Sequence, residues 1–89
     1  MFPKSLDHAR VLFYTPEDDY GEVYYTTGEL AEQIHFLAIC KYEDRAEFYL
    51  FACNSAYEVV SDSPWDSIEE CKSVASNSYD SPISWIAME

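Results

Sequence analysis

Two apolar runs constrain this chain more than anything else in it. "IHFLAICKY" (Ile34 to Tyr42) and "AEFYLFAC" (Ala46 to Cys53) are separated only by "EDR". In the first run, Phe36, Ala38, Cys40 and Tyr42 alternate with His35, Leu37, Ile39 and Lys41, so both faces are mainly apolar. A strand apolar on both sides belongs in the middle of a sheet. So short a link makes the two runs antiparallel neighbours.

The remaining segments extend this pair. "ARVLFY" (Ala9 to Tyr14) reads as a strand stopped by Thr15-Pro16, and "EVYYTT" (Glu22 to Thr27) as a second strand ending at Gly28. "ELAEQI" (Glu29 to Ile34) suits either a helical turn capped by Thr27 or a strand, and the strand is preferred. Asn54-Ser55 turns the chain into a further strand, "YEVVSD" (Tyr57 to Asp62). The period then changes: Ile68, Cys71, Val74, Ala75 and Tyr79 recur at helical spacing. Ser63, Pro64 and Asp66 read as the cap, first turn and dipole partner of that helix. "ISWIAM" adds an edge strand or packs as a tail. The expected fold is α+β: an antiparallel β-meander of about four to five strands, with one α-helix (about residues 64–78) packed on one face. Residues 1–89 form a single domain. One short helix cannot cover such a sheet, so the terminal segment, a second copy or a partner must shield the rest. A homodimer is therefore among the expectations.

Charge bounds the function. Seventeen Asp and Glu face five Lys and Arg, a formal charge of −12. Nucleic acid and anionic membranes are repelled by such a surface, and a basic protein is attracted to it. "HFLAIC" is too short to span a bilayer, and Met1 to Ala9 lacks the look of a signal peptide. The expectation is a soluble cytoplasmic protein.

No constellation argues for catalysis or cofactor binding. "PEDDYGE" (Pro16 to Glu22) has consecutive acids instead of the alternating ligands of a calcium loop. Zinc needs clustered Cys or His, and His8 and His35 are far apart in sequence with no cysteine near either. Gly21 and Gly28 alone cannot form a phosphate-cradling loop. Cys40, Cys53 and Cys71 are odd in number without C-x-x-C spacing, and read as buried, reduced thiols. A small enzyme using Cys40 or Cys53 with His35 is the reading of a different class. It needs a thiol activated where apolar surroundings suppress reactivity. Lys4, Arg10, Lys41, Arg45 and Lys72 are scattered in sequence and read as local counter-charges.

What remains is a binder without an active site. Tyr14, Tyr24, Tyr25, Tyr42, Tyr49 and Tyr57 lie in the expected strands, and tyrosine suits interfaces as well as core rims. The candidate partner-binding residues are Glu17, Asp18, Asp19, Tyr20, Glu22, Tyr24, Glu43 and Asp44. The stretch "FYLFACNSAYEVVSDSPWDSIEECKSVA" (Phe48 to Ala75) has an aromatic strand ending in Cys, a tight turn, a "Y-x-V" strand and an acidic "D-S-I-E-E" helix. It resembles small bacterial proteins of the polymorphic-toxin immunity kind. The resemblance implies an inhibitor that neutralises a toxin by binding its basic active-site surface. The alternative is a phage-encoded inhibitor of a host defence complex, an anti-CRISPR-like mimic of nucleic acid.

Overall fold

The computed structural model describes residues 2–24, 26–79 and 82–89. Along them the chain forms β1 (Ser5–Leu6), β2 (Ala9–Tyr14), β3 (Gly21–Tyr24), β4 (Leu30–Ile34), β5 (Phe36–Lys41), β6 (Phe48–Cys53), β7 (Val59–Trp65), α1 (Ile68–Ser78) and β8 (Ile86–Ala87). β5 and β6 pair along their whole length, from Phe36↔Cys53 to Lys41↔Phe48. Leu37, Ala38, Ile39 and Cys40 on one strand, and Phe51, Ala52 and Cys53 on the other, are sealed from solvent. Each large apolar side chain buried there contributes about 1.5–3 kcal/mol.

The sheet runs β1-β2-β5-β6-β7, with every pairing antiparallel. β8 joins the outer edge of β2 through Phe13↔Ala87 and Tyr14↔Ile86, beside the stretch that β1 covers. The helix packs on β6 and β7. This is the expected antiparallel sheet with one helix on one face, and it departs from a simple meander in one respect. β2 pairs with β5, and the chain between them makes a separate hairpin, β3–β4.

Two clusters occupy the two faces. Leu37, Ile39, Leu50 and Ala52 meet Cys71 and Ala75 of α1, with Tyr20, Phe13, Ile83 and Trp85 around them. The opposite face holds Phe36, Ala38, Cys40, Phe51 and Cys53, and no helix covers it. Phe2, Leu6 and Met88 cover part of it, and aromatic rings fill the rest. Phe2 stacks on Tyr14 with centroids 4.7 Å apart, and Phe36 stacks on Tyr57 at 4.7 Å. A bulge in β2 between Val11 and Phe13 makes this double lining possible. It turns Val11 and Tyr14 to the aromatic face and Phe13 to the helix face.

Four local expectations are corrected. The helix starts at Ile68, and its cap is Ser67, whose hydroxyl accepts from the Glu70 amide at 3.0 Å. Ser63 and Pro64 lie in β7, where Pro64 sits opposite Tyr49; an edge strand tolerates a residue without an N–H. The run Ile34 to Tyr42 is broken at His35, where the chain leaves its pairing with β3 and enters the large sheet. The strand expected over Glu22 to Thr27 begins at Gly21 and ends at Tyr24, with Thr26 and Thr27 in the following turn; Tyr25 lies outside the described residues. Finally, β1 was not foreseen, since two residues carry no readable period.

Candidate functional site

The acidic loop is laced to the sheet by its backbone. Beyond β2, the amides of Thr15, Asp18 and Tyr20 donate to the carbonyls of Leu37, His35 and Ile34, each at 3.0 Å. The Thr15 hydroxyl accepts from the Leu37 amide at 2.9 Å. Residues 15–20 therefore run beside residues 34–37 and deliver the chain to β3 in register, Gly21↔Ile34. Gly21 and Gly28, at φ 136° and 91°, supply backbone shapes that L side chains rarely adopt.

Within this loop the expected contact residues separate. The Glu17 carboxylate lies 3.3 Å from Nδ1 of His35. Asp18 and Asp19 are exposed, and the Asp18 carboxylate accepts from the Asp19 amide at 2.8 Å. Tyr20 is only 1% exposed, and its hydroxyl donates to the Pro16 carbonyl at 2.7 Å. Burial raises its phenol pKa. Its ring is thus a core anchor of the loop and presents nothing to a partner, which corrects its expected role.

Glu22 and Tyr24 point outward on β3. The Tyr24 hydroxyl donates to the Glu22 carboxylate at 2.8 Å, and that contact holds the phenol pKa above its ordinary value. Tyr24 is 55% exposed, and its cross-strand partner Leu30 is 48% exposed. Leu30 was missed; the only sequence signal was a single leucine among acids in a short strand. Glu22 and Glu29 are exposed next to this pair, while Glu32 stands opposite Val23, half-buried and 3.5 Å from the Asn54 side-chain nitrogen. Across residues 11–40 there are six acids and no Lys or Arg. The neighbouring Asn54 turn is built the same way. Asn54 Oδ1 accepts from the Ala56 and Glu58 amides, and Nδ2 donates to Glu58 at 2.9 Å.

Glu43 and Asp44 are exposed, yet they lie in the β5–β6 turn. That is the opposite end of β5 from the hairpin, roughly 17–20 Å away for a six-residue strand. The fold therefore strings Glu17, Asp18, Asp19, Glu22 and Tyr24 along one extended run, from beside His35 to the tip of the β3–β4 hairpin, and places Glu43 and Asp44 at the other end of β5. Arg45 sits over the rings of Tyr42 and Tyr49 there, and its guanidinium donates to the Tyr49 hydroxyl at 2.8 Å. Tyr14, Tyr42, Tyr49 and Tyr57 belong to the aromatic lining.

The thiols are all buried. Cys40, Cys53 and Cys71 are free and sealed from solvent. Burial first, then nearby acidic groups, pushes Cys53 up to about 12 and Cys71 up to about 11; Cys40 is also raised. The His35 imidazole lies 3.3 Å from Glu17, while Cys40 and Cys53 sit in the aromatic cluster. Among the described residues no three His, Cys, Asp or Glu side chains converge as a metal set, and no helix is long and apolar enough to cross a membrane.

Comparison with protein-family models gives no match, and neither do searches of curated proteins and of solved structures.

Proposed function

We propose that this chain is a non-catalytic protein-binding inhibitor of the immunity kind, acting in the bacterial cytoplasm on a toxin with a basic active-site surface. One observation carries the reading. The loop of residues 15–20 and the β3–β4 hairpin it leads into carry Glu17, Asp18, Asp19, Glu22, Glu29 and Glu32, with an exposed Tyr24–Leu30 pair at the hairpin tip and no Lys or Arg between residues 11 and 40. Among the described residues the exposed large apolar side chains are Tyr24, Leu30 and Ile86, and two of the three form this one cross-strand pair. An acidic edge that ends in an exposed aromatic and leucine suits a basic groove. The acids speed encounter and select the partner, while the apolar pair is desolvated at the centre. The likeness of Phe48 to Ala75 to immunity-type proteins points the same way.

The test begins with partner capture at moderate salt, followed by assay of the captured protein's own activity. We expect a basic protein inhibited at a one-to-one ratio. Tyr24→Ala should weaken binding by about 2 kcal/mol or more. The double variant Asp18→Lys/Asp19→Lys should slow association and flatten its salt dependence. A partner bound equally well by both variants overturns the hairpin as the contact.

A further inference from the structure

The other end of the sheet gathers what the hairpin end lacks. Of five Lys and Arg in the chain, Lys4, Arg10 and Lys41 line one shallow concavity, together with His8, Glu43 and Asp44. Strand register places Arg10 beside Lys41 there, and Lys4 enters from the chain just before β1. Ser5 pairs with Arg10, the Val11 amide donates to the Lys4 carbonyl, and Arg10 stands directly opposite Lys41. Adjacent strands lie about 4.8 Å apart. Lys4 just before β1, Arg10 on β2 and Lys41 on β5 thus line one space.

Glu43 and Asp44 share this lining without pairing to its cations. Like charges directly opposite on paired strands repel. Yet among the described residues no carboxylate comes within ion-pair distance of Lys4, Arg10 or Lys41, in a chain with seventeen acids. The Lys41 ammonium donates to the carbonyls of Tyr42 and Arg45, which fixes it in place. Asp7 and His8 take up the turn between β1 and β2 with φ of 47° and 69°, a left-handed pair that carries His8 to the same lining.

We propose that this concavity binds a compact oxyanion, a single phosphate group. The guanidinium of Arg10 and the ammonium of Lys4 donate to its oxygens, and Lys41 supplies the third positive charge. Glu43 and Asp44 in the same lining leave it only a small positive excess, and the overall charge of −12 repels an extended polyanion, so the ligand is one phosphate and not a nucleic-acid backbone. The site is independent of whether the hairpin inhibits a toxin.

The test is amide chemical-shift titration with inorganic phosphate and, separately, glycerol 3-phosphate, each against chloride at matched ionic strength. Saturable shifts are expected at residues 4–11 and 40–45 and not at residues 21–34. Tighter binding of the ester identifies a small phosphorylated molecule as the ligand; equal or tighter binding of inorganic phosphate identifies the free ion. Arg10→Gln should weaken binding about tenfold, the loss that accompanies one charge-assisted hydrogen bond. It should also raise the phosphate-free Tm, since a like-charge pair is removed. Lys4→Gln should weaken binding in the same sense, and Lys72→Gln, on the helix, should not. Shifts spread along the whole chain without saturation, or an Arg10→Gln protein that titrates like the parent, would overturn the site.

Discussion

The phenols of Tyr20 and Tyr24 both donate at hydrogen-bond distance, to Pro16 and Glu22 respectively, yet one is sealed and the other open. The difference lies in what the ring touches. Tyr20 packs against Leu37, Ile39 and the helix cluster, so Tyr20→Ala removes an aromatic from the core. It should cost about 3 kcal/mol in urea unfolding, while Tyr24→Ala stays within about 0.5 kcal/mol of the parent. Comparable losses for the two would contradict the assigned burial. Nothing in "PEDDYGE" announces this split. No period marks Tyr20, and its burial follows from the backbone ladder of residues 15–20 against residues 34–37, a pairing across distant sequence.

The thiols carry a residue-scale prediction with a definite sign. Folding raises Cys53 from 9.0 to about 12 and Cys71 from 9.0 to about 11, so the native state holds its protons longer than the unfolded chain. Their contribution is intact below pH 9 and is lost as pH rises through the native values. The urea midpoint should therefore fall steadily above pH 9, and native thiols should label slowly and together at pH 8. A single cysteine that labels rapidly in the folded protein would revive a catalytic reading. Here the sequence was informative: cysteines inside strands apolar on both faces read as buried, and they are.

At the scale of elements, the helix start shows why local signals compete. Ser63-Pro64-Trp65-Asp66 and Ser67-Ile68-Glu69-Glu70 both fit a serine followed three residues later by an acid. Proline favoured the first by propensity alone. Tertiary pairing decides for the second, because β6 needs β7 as its outer neighbour as far as Phe48↔Trp65. Ser63 then serves another purpose: its hydroxyl accepts from Trp65 Nε1 at 2.7 Å. Ser67→Ala should cost about 1 kcal/mol and lower helicity by circular dichroism. Ser63→Ala should leave the helical signal unchanged and instead perturb Trp65 fluorescence. Equal losses of helicity would mean that the cap is misassigned. The strands β2, β5, β6 and β7 were legible because they are long and patterned; β1 and the break at His35 were not, because two-residue strands and partner exchange leave no periodic trace.

For the molecule as a whole, the decisive property is how charge is distributed along the sheet. The hairpin end has only acids, whereas Lys4, Arg10, Lys41 and Arg45 gather near the β5–β6 turn. The absence of bases from residues 11–40 is visible in the sequence, and their collection at the opposite end appears only once β1, β2 and β5 are in register. With a net charge of −12, the folded chain repels itself, and the six acids of residues 11–40, with no Lys or Arg among them, add to that repulsion. Added salt screens these charges over a Debye length that falls from about 30 Å at 0.01 M to about 8 Å at 0.15 M. Stability and partner affinity should therefore respond in opposite directions. The Tm should rise between these two salt concentrations while association with a basic partner slows. Neutralising three of the acids, as Asp18→Asn/Asp19→Asn/Glu22→Gln, should reproduce both effects at low salt: a higher Tm, a slower association rate and a weaker dependence of each on added salt. If the triple variant is instead less stable than the parent at low salt, the acids are holding the hairpin together, and their assignment to a partner fails.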